Sequence, residues 1–106
     1  MKLLSRSEEI ILLAVLKLEG NAYGISIREL IHKSTGIEWS FASIYDPLNK
    51  LTRKGYVRKF RGDPLPERGG RHKYLYEITT EGKKALLNIY GIHERIWKDV
   101  PLKILI

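Results

Sequence analysis

Few of the side chains able to do covalent chemistry stand in a usable pattern in this chain. Its 106 residues include no cysteine, and so neither a thiolate nucleophile nor a disulfide. The three histidines, His32, His72 and His93, lie far apart without the spacing of a ligand set, so we expect no metal and no cofactor. There is no phosphate-cradling glycine loop and no serine elbow; Gly69-Gly70 belongs to a long loop rich in Gly, Pro and Arg. An enzyme is not expected. What the chain has instead is positive charge in one place.

Nineteen Lys and Arg against twelve Asp and Glu leave a net charge of +7. Between Asn49 and Lys73 stand nine basic residues and only two acidic ones, Asp63 and Glu67, so this quarter of the chain holds the whole excess. The remainder balances to zero. A merely solvated surface would scatter such charge; its concentration favours a polyanion partner, nucleic acid before membrane. The longest apolar run, Ile10 to Leu16, is far shorter than the ~20 residues a membrane-spanning helix needs. It follows Glu8 and Glu9 and precedes no small-residue cleavage site, so we expect no secretory signal. Absence of cysteine fits a reducing compartment, and the expected location is the cytoplasm.

The elements that must position these charges can be read in order. A first helix is expected from Ser7, as its cap, to Leu18, apolar nearly all round and stopped by Gly20-Asn21. A second spans Tyr23 to Thr35, with Ile27, Leu30 and Ile31 on one face and Gly36 at its end. Ile37-Glu38-Trp39 alternates like a small strand. Ser40 then caps a third helix reaching Lys54, with Ile44, Leu48 and Leu51 pointing inward and a kink or loosened first turn expected at Pro47. Tyr56 to Arg61 and His72 to Ile78 alternate as two antiparallel strands joined by an exposed loop over residues 62–71. Thr80 caps a last helix from Glu81 to Val100, before Pro101.

Three helices followed by a two-stranded ribbon with a basic loop is the order of a winged helix-turn-helix, mainly α in class with some β. We expect this unit over residues 1–80 and a C-terminal dimerisation helix and tail over 81–106. The major groove of DNA, about 12 Å wide, admits one helix, and a ribbon tip can then reach an adjacent groove. On the third helix, Ser40 and Ser43 can bond phosphates or base edges, and Asn49, Lys50, Arg53 and Lys54 offer longer reach. Asn49 reads equally well as a solvated surface residue. Tyr45 can either pack the helix or bond a phosphate, and Trp39 reads as a core wedge. Arg61, Arg68, Arg71, His72 and Lys73 surround the wing, where phosphates or the minor groove are in reach.

Several of these residues form an ordered set. Tyr23-Gly24, Ser43-Ile44-Tyr45, Gly55-Tyr56-Val57, and Pro66-Glu67-Arg68-Gly69-Gly70-Arg71 followed by Tyr74, Tyr76, Thr79 and Gly82 resemble the PadR family of transcriptional regulators. The resemblance spans roughly Glu8 to Leu86. It departs at Pro47, one place after the position where the family often has proline, and at bulky Phe41 in the first turn of the recognition helix. It implies a bacterial or archaeal homodimeric repressor of double-stranded DNA, with the last helix supplying the dimer contact. It also implies, for many members, a response to small aromatic or drug-like effectors. The short C-terminus looks like the branch with a single C-terminal helix.

That last helix carries more apolar surface than its own small domain needs. Leu86, Ile89, His93, Ile96 and Val100 follow a 3-4 spacing, with Tyr90 and Trp97 beside the stripe. Pairing with the same helix of a second copy is the natural solution, through Leu86, Ile89, Tyr90, His93, Ile96 and Trp97. Such a dimer would set two recognition helices about 34 Å apart on a near-palindrome. Trp97 and Tyr90 could also line a cleft for a flat aromatic effector, or serve as dimer core alone. A competing expectation is an adaptor that binds protein, or nucleic acid without sequence preference.

Overall fold

The computed structural model describes residues 3–64 and 72–106. Its elements follow one another as α1 (Arg6–Lys17), α2 (Gly24–Thr35), α3 (Phe41–Arg53), β1 (Val57–Pro64), β2 (His72–Ile78) and α4 (Thr80–Trp97), then a 3-10 turn at Leu102–Leu105. This is the mainly α winged helix-turn-helix expected from the order of elements. No described helix is long and apolar enough to cross a membrane.

Where boundaries differ from expectation, a specific hydrogen bond decides. The cap of α1 is Ser5, not Ser7. The Glu8 amide donates to Ser5 Oγ (3.1 Å) and the Ser5 amide donates back to Glu8 Oε1 (2.9 Å), a reciprocal pair that Ser7 has no glutamate three places on to make. Likewise Thr79, not Thr80, caps α4: its Oγ1 accepts from the Gly82 amide (3.1 Å) and donates to the Gly55 carbonyl (2.7 Å). That hydroxyl thus ties α4 to the turn between α3 and β1. At its other end α4 stops at Trp97 rather than Val100, because Lys98 turns extended and Asp99 takes a left-handed conformation (φ 65°). Gly36 closes α2 at φ 74° and Ser40 caps α3, both as expected. Helix α3 runs unbroken through Pro47. Ser43, whose carbonyl loses the amide bond Pro47 cannot donate, is exposed to solvent.

The small strand expected at Ile37-Glu38-Trp39 does not form. Arg28 holds this segment instead, its Nε donating to the Trp39 carbonyl (2.6 Å) and its guanidinium pairing with Glu38 (2.9 Å). The segment that does join the wing is Ala22, whose carbonyl accepts from the Tyr76 amide (2.8 Å). Strand β1 also continues past Arg61 through Pro64, with a bulge before the Pro64–His72 pair, so part of the expected loop is strand.

One core serves all these elements. Ile11, Leu12 and Val15 of α1 meet Ile27 and Ile31 of α2, Ile44, Leu48 and Leu51 of α3, Val57 and Tyr76 of the wing, and Ala85, Leu86 and Ile89 of α4. Gly82 allows the α4 approach: a Cβ there would lie 2.2 Å from the Tyr56 carbonyl oxygen, a backbone atom that cannot step aside.

Glu8 is the one buried carboxylate of the described residues, and it has a second partner in Lys54 just after α3 (Nζ to Oε2, 2.5 Å). Burial pushes the Glu8 carboxyl up, but the Lys54 ammonium and the Ser5 amide and hydroxyl together hold it below its ordinary value. A lowered folded value means stability that is present above the ordinary carboxylate range and lost as pH falls through the folded value. Thermal unfolding should therefore move to lower temperature between about pH 5 and pH 3, with part of that drop missing in Glu8→Gln. An equal drop in both proteins would dismiss Glu8 as its source.

Candidate nucleic-acid interface

Helix α3 divides cleanly between core and solvent. Ile44, Leu48 and Leu51 are fully buried, whereas Ala42, Ser43, Asp46, Asn49, Lys50 and Arg53 are exposed. The exposed set gathers on the side opposite the core, as a 3.6-residue repeat requires. Asn49, Lys50 and Arg53 thus stand where a groove-entering helix needs them. Asp46 and Ala42 share the same face and were not singled out from the sequence, although Asp46 can be placed there by its position midway between Ile44 and Leu48.

The other predicted residues on this helix also have work inside the chain. Ser40 Oγ accepts from the Ser43 amide (3.1 Å) and bonds Ser43 Oγ (3.0 Å), so both hydroxyls take part in the cap while remaining exposed. Tyr45 is half-buried and packs against the core, its ring 6.4 Å from that of Phe41 and inclined 28° to it. Its hydroxyl end lies where a Cβ on Gly24 would be, at 2.0 Å. That contact gives the physical reason for the Tyr23-Gly24 and Tyr45 signature: only glycine at the start of α2 leaves room for this ring. Lys54 points to Glu8 rather than away from the molecule.

In the wing, the register places Val57 opposite Ile78, Lys59 opposite Tyr76 and Arg61 opposite Tyr74. Residues directly opposite share a face, so this face starts in the core with Val57, Ile78 and Tyr76 and becomes basic and aromatic further out. Lys59 lies 4.3 Å over the Tyr74 ring, and Arg61 is exposed. Lys73 is half-buried, 4.5 Å over the ring of Tyr23, so it links the wing to the start of α2. Tyr76 is buried, and burial first, then the neighbouring Tyr45 and Tyr74, push its hydroxyl up to about 12, so it stays neutral. Arg58 pairs with Glu77 across the strands (2.6 Å) and lies over Phe60. Arg68 and Arg71 lie outside the described residues.

The residues expected to meet a second copy divide in the same way. Leu86 and Ile89 are buried in the chain's own core rather than on an outer face of α4. His93 is half-buried, its Nε2 3.1 Å from both carboxylate oxygens of Glu9 on α1. What α4 leaves open is Leu87, Tyr90, Ile96 and Trp97, of which Leu87 had no place in the expected stripe. Between α1 and α4 an apolar groove of about 310 Å³ is lined by Leu13, Leu16, Leu86, Leu87 and Tyr90, with Glu9 and Lys83 at its rim.

Residues 12–88 match the Transcriptional regulator PadR-like family. No curated protein matches the sequence. Among solved structures, RosR of H. salinarum is similar at 26% identity and a TM-score of 0.67, over 92% of this chain and 81% of that one. A transcriptional regulator from Clostridium thermocellum is similar at 26% identity and a TM-score of 0.66, over 90% of each chain. A PadR family transcription regulator from Clostridium difficile R20291 shares the fold at 24% identity and a TM-score of 0.68, over 92% of this chain and 97% of that one.

Proposed function

Because the chain belongs to the PadR-like family of transcriptional regulators, we propose that it is a homodimeric repressor whose palindromic operator is released on binding a small aromatic effector. The observation that carries this reading is the exposed face of α3, where Ser43, Asn49, Lys50 and Arg53 stand opposite a fully buried row with the wing directly following. A helix so presented suits the major groove, with Arg61 of the wing, and Arg68 and Arg71 on the sequence pattern, meeting the flanking backbone. Lys54 and Tyr45 serve this reading by fixing α3.

Two copies fit the reading because the open face of α4 is apolar. Leu87 is 72% exposed and Tyr90 60%, an unfavourable amount of apolar surface for a helix facing water. Pairing of two such faces, continued by the groove between α1 and α4, would bury it and fix the spacing of the two α3 helices. Trp97, 51% exposed near the end of α4, would stand beside its symmetry mate, and a flat aromatic compound could stack there with Tyr90 nearby.

Three measurements test the parts separately. Footprinting on the protein's own upstream region should show protection there, with a preference over random duplex of roughly 10³-fold or more. Lys50→Ala and Arg53→Ala should each weaken that binding by about tenfold without lowering the melting temperature. Equal affinity for random duplex would instead support an adaptor without sequence preference. Sedimentation at micromolar concentration should give a dimer, and Leu87→Glu a monomer that keeps the parent's helical circular dichroism; a monomeric parent would remove the dimer from the reading. Titration with phenolic or drug-like aromatic compounds should quench tryptophan fluorescence, and Trp97→Phe should lose that response. Since Trp39 also emits, an equal response in Trp97→Phe would rule out this effector site.

A further inference from the structure

The exposed face of α3 holds one group that suits neither the core nor the phosphate backbone. Asp46 lies two residues from Ile44 and two from Leu48, both 0% exposed. Two residues of α-helix are about 200° of turn, so Asp46 stands directly opposite the buried row, at the middle of the outward face. Ala42 precedes it by one turn, Asn49 and Lys50 follow by one, and Arg53 by two, all exposed. Its carboxylate has no hydrogen bond or ion pair with any described residue.

A carboxylate is an acceptor only, and phosphates repel it, so on a helix that enters DNA it needs a hydrogen-bond donor on a base edge. In the major groove those donors are the amino groups of cytosine and adenine. The adenine amino group lies beside N7, an acceptor that repels a second acceptor, whereas the major-groove edge of cytosine carries the N4 donor alone. We propose that Asp46 is a specificity-determining residue that reads a cytosine in each half-site, its carboxylate accepting from the N4 amino group. The side chain is short, and its surroundings compensate. Ala42 and Ser43, one turn earlier, are small enough to let the first half of α3 come close to the base edges, where recognition helices make their base contacts. Lys50 and Arg53 on the same face offset the repulsion between the carboxylate and the neighbouring phosphates.

This assignment rests on α3 being the helix that contacts DNA, and the test separates the two. Binding selection from a pool of randomised duplexes is run with the parent, Asp46→Ala and Asp46→Asn. The parent should enrich a cytosine at one position of each half-site. Asp46→Ala should keep every other preference and lose that one, with the cytosine-bearing site falling about tenfold toward its single-base variants. Asp46→Asn should move the position toward adenine, which an asparagine can grip through N6 and N7 together. Both variants should melt as the parent does. If the parent selects an operator and Asp46→Ala alters no position, the assignment is wrong while DNA reading by α3 stands. A uniform gain on every sequence in both variants would also overturn it, leaving only charge repulsion. A parent that enriches no sequence would overturn the operator reading and this assignment together.

Discussion

A helix that must bury one side in a core has no freedom left over which side it shows to the outside, and α3 is held to that condition along its whole length. Ile44, Leu48 and Leu51 supply the driving force, each contributing about 1.5–3 kcal/mol by burial. Burial alone would leave some slide and roll. At the first turn Arg28 lies 4.8 Å over the Phe41 ring while bonding the Trp39 carbonyl. In the middle the Tyr45 ring rests where only glycine at position 24 leaves space. Beyond the last turn Lys54 meets Glu8. Each contact is modest, yet they come from α2 at one end and α1 at the other, so they fix the direction of the helix against both neighbours.

How far this could be read from the chain depended on whether a feature was local. Helix periods, the Ser40 cap, Gly36 and the alternation of the two strands depend on residues a few places apart, and all are found where the pattern puts them. The caps fall at Ser5 and Thr79 rather than Ser7 and Thr80, where neighbouring hydroxyl residues compete. The choice between them turns on a partner: Glu8 in one case, the Gly55 carbonyl in the other. The strand expected at Ile37-Trp39 failed for a related reason. Alternation predicts that a segment can pair, but Arg28 holds Ile37-Trp39 through the Trp39 carbonyl and Glu38, and the segment beside Tyr76 is Ala22.

The exposed face of α3 was largely legible, since exposure on a helix follows from the positions of its apolar residues. What was not legible was the internal use of charge. Lys54 and Lys73 look like further members of a basic patch, and nothing near them in sequence says that Glu8 and Tyr23 are their neighbours. Similarly, the 3-4 stripe of α4 was read as a single outer face. In space its first half, Leu86 and Ile89, completes the chain's own core, while Ile96 further along it and Leu87 and Tyr90 beside it stay open. A stripe shows that a face is buried, not which surface buries it.

Glu8 also changes how the net charge should be counted. Much of the affinity of a protein for DNA comes from small cations set free when lysines and arginines take their places along the backbone. A lysine already facing a carboxylate has little to exchange. Lys54 faces one whose side chain is only 7% exposed, so it has less charge to offer a phosphate than its formal +1 suggests. The count of basic residues in the sequence thus overstates the ions the protein can displace, and the number released reflects the fold rather than the composition.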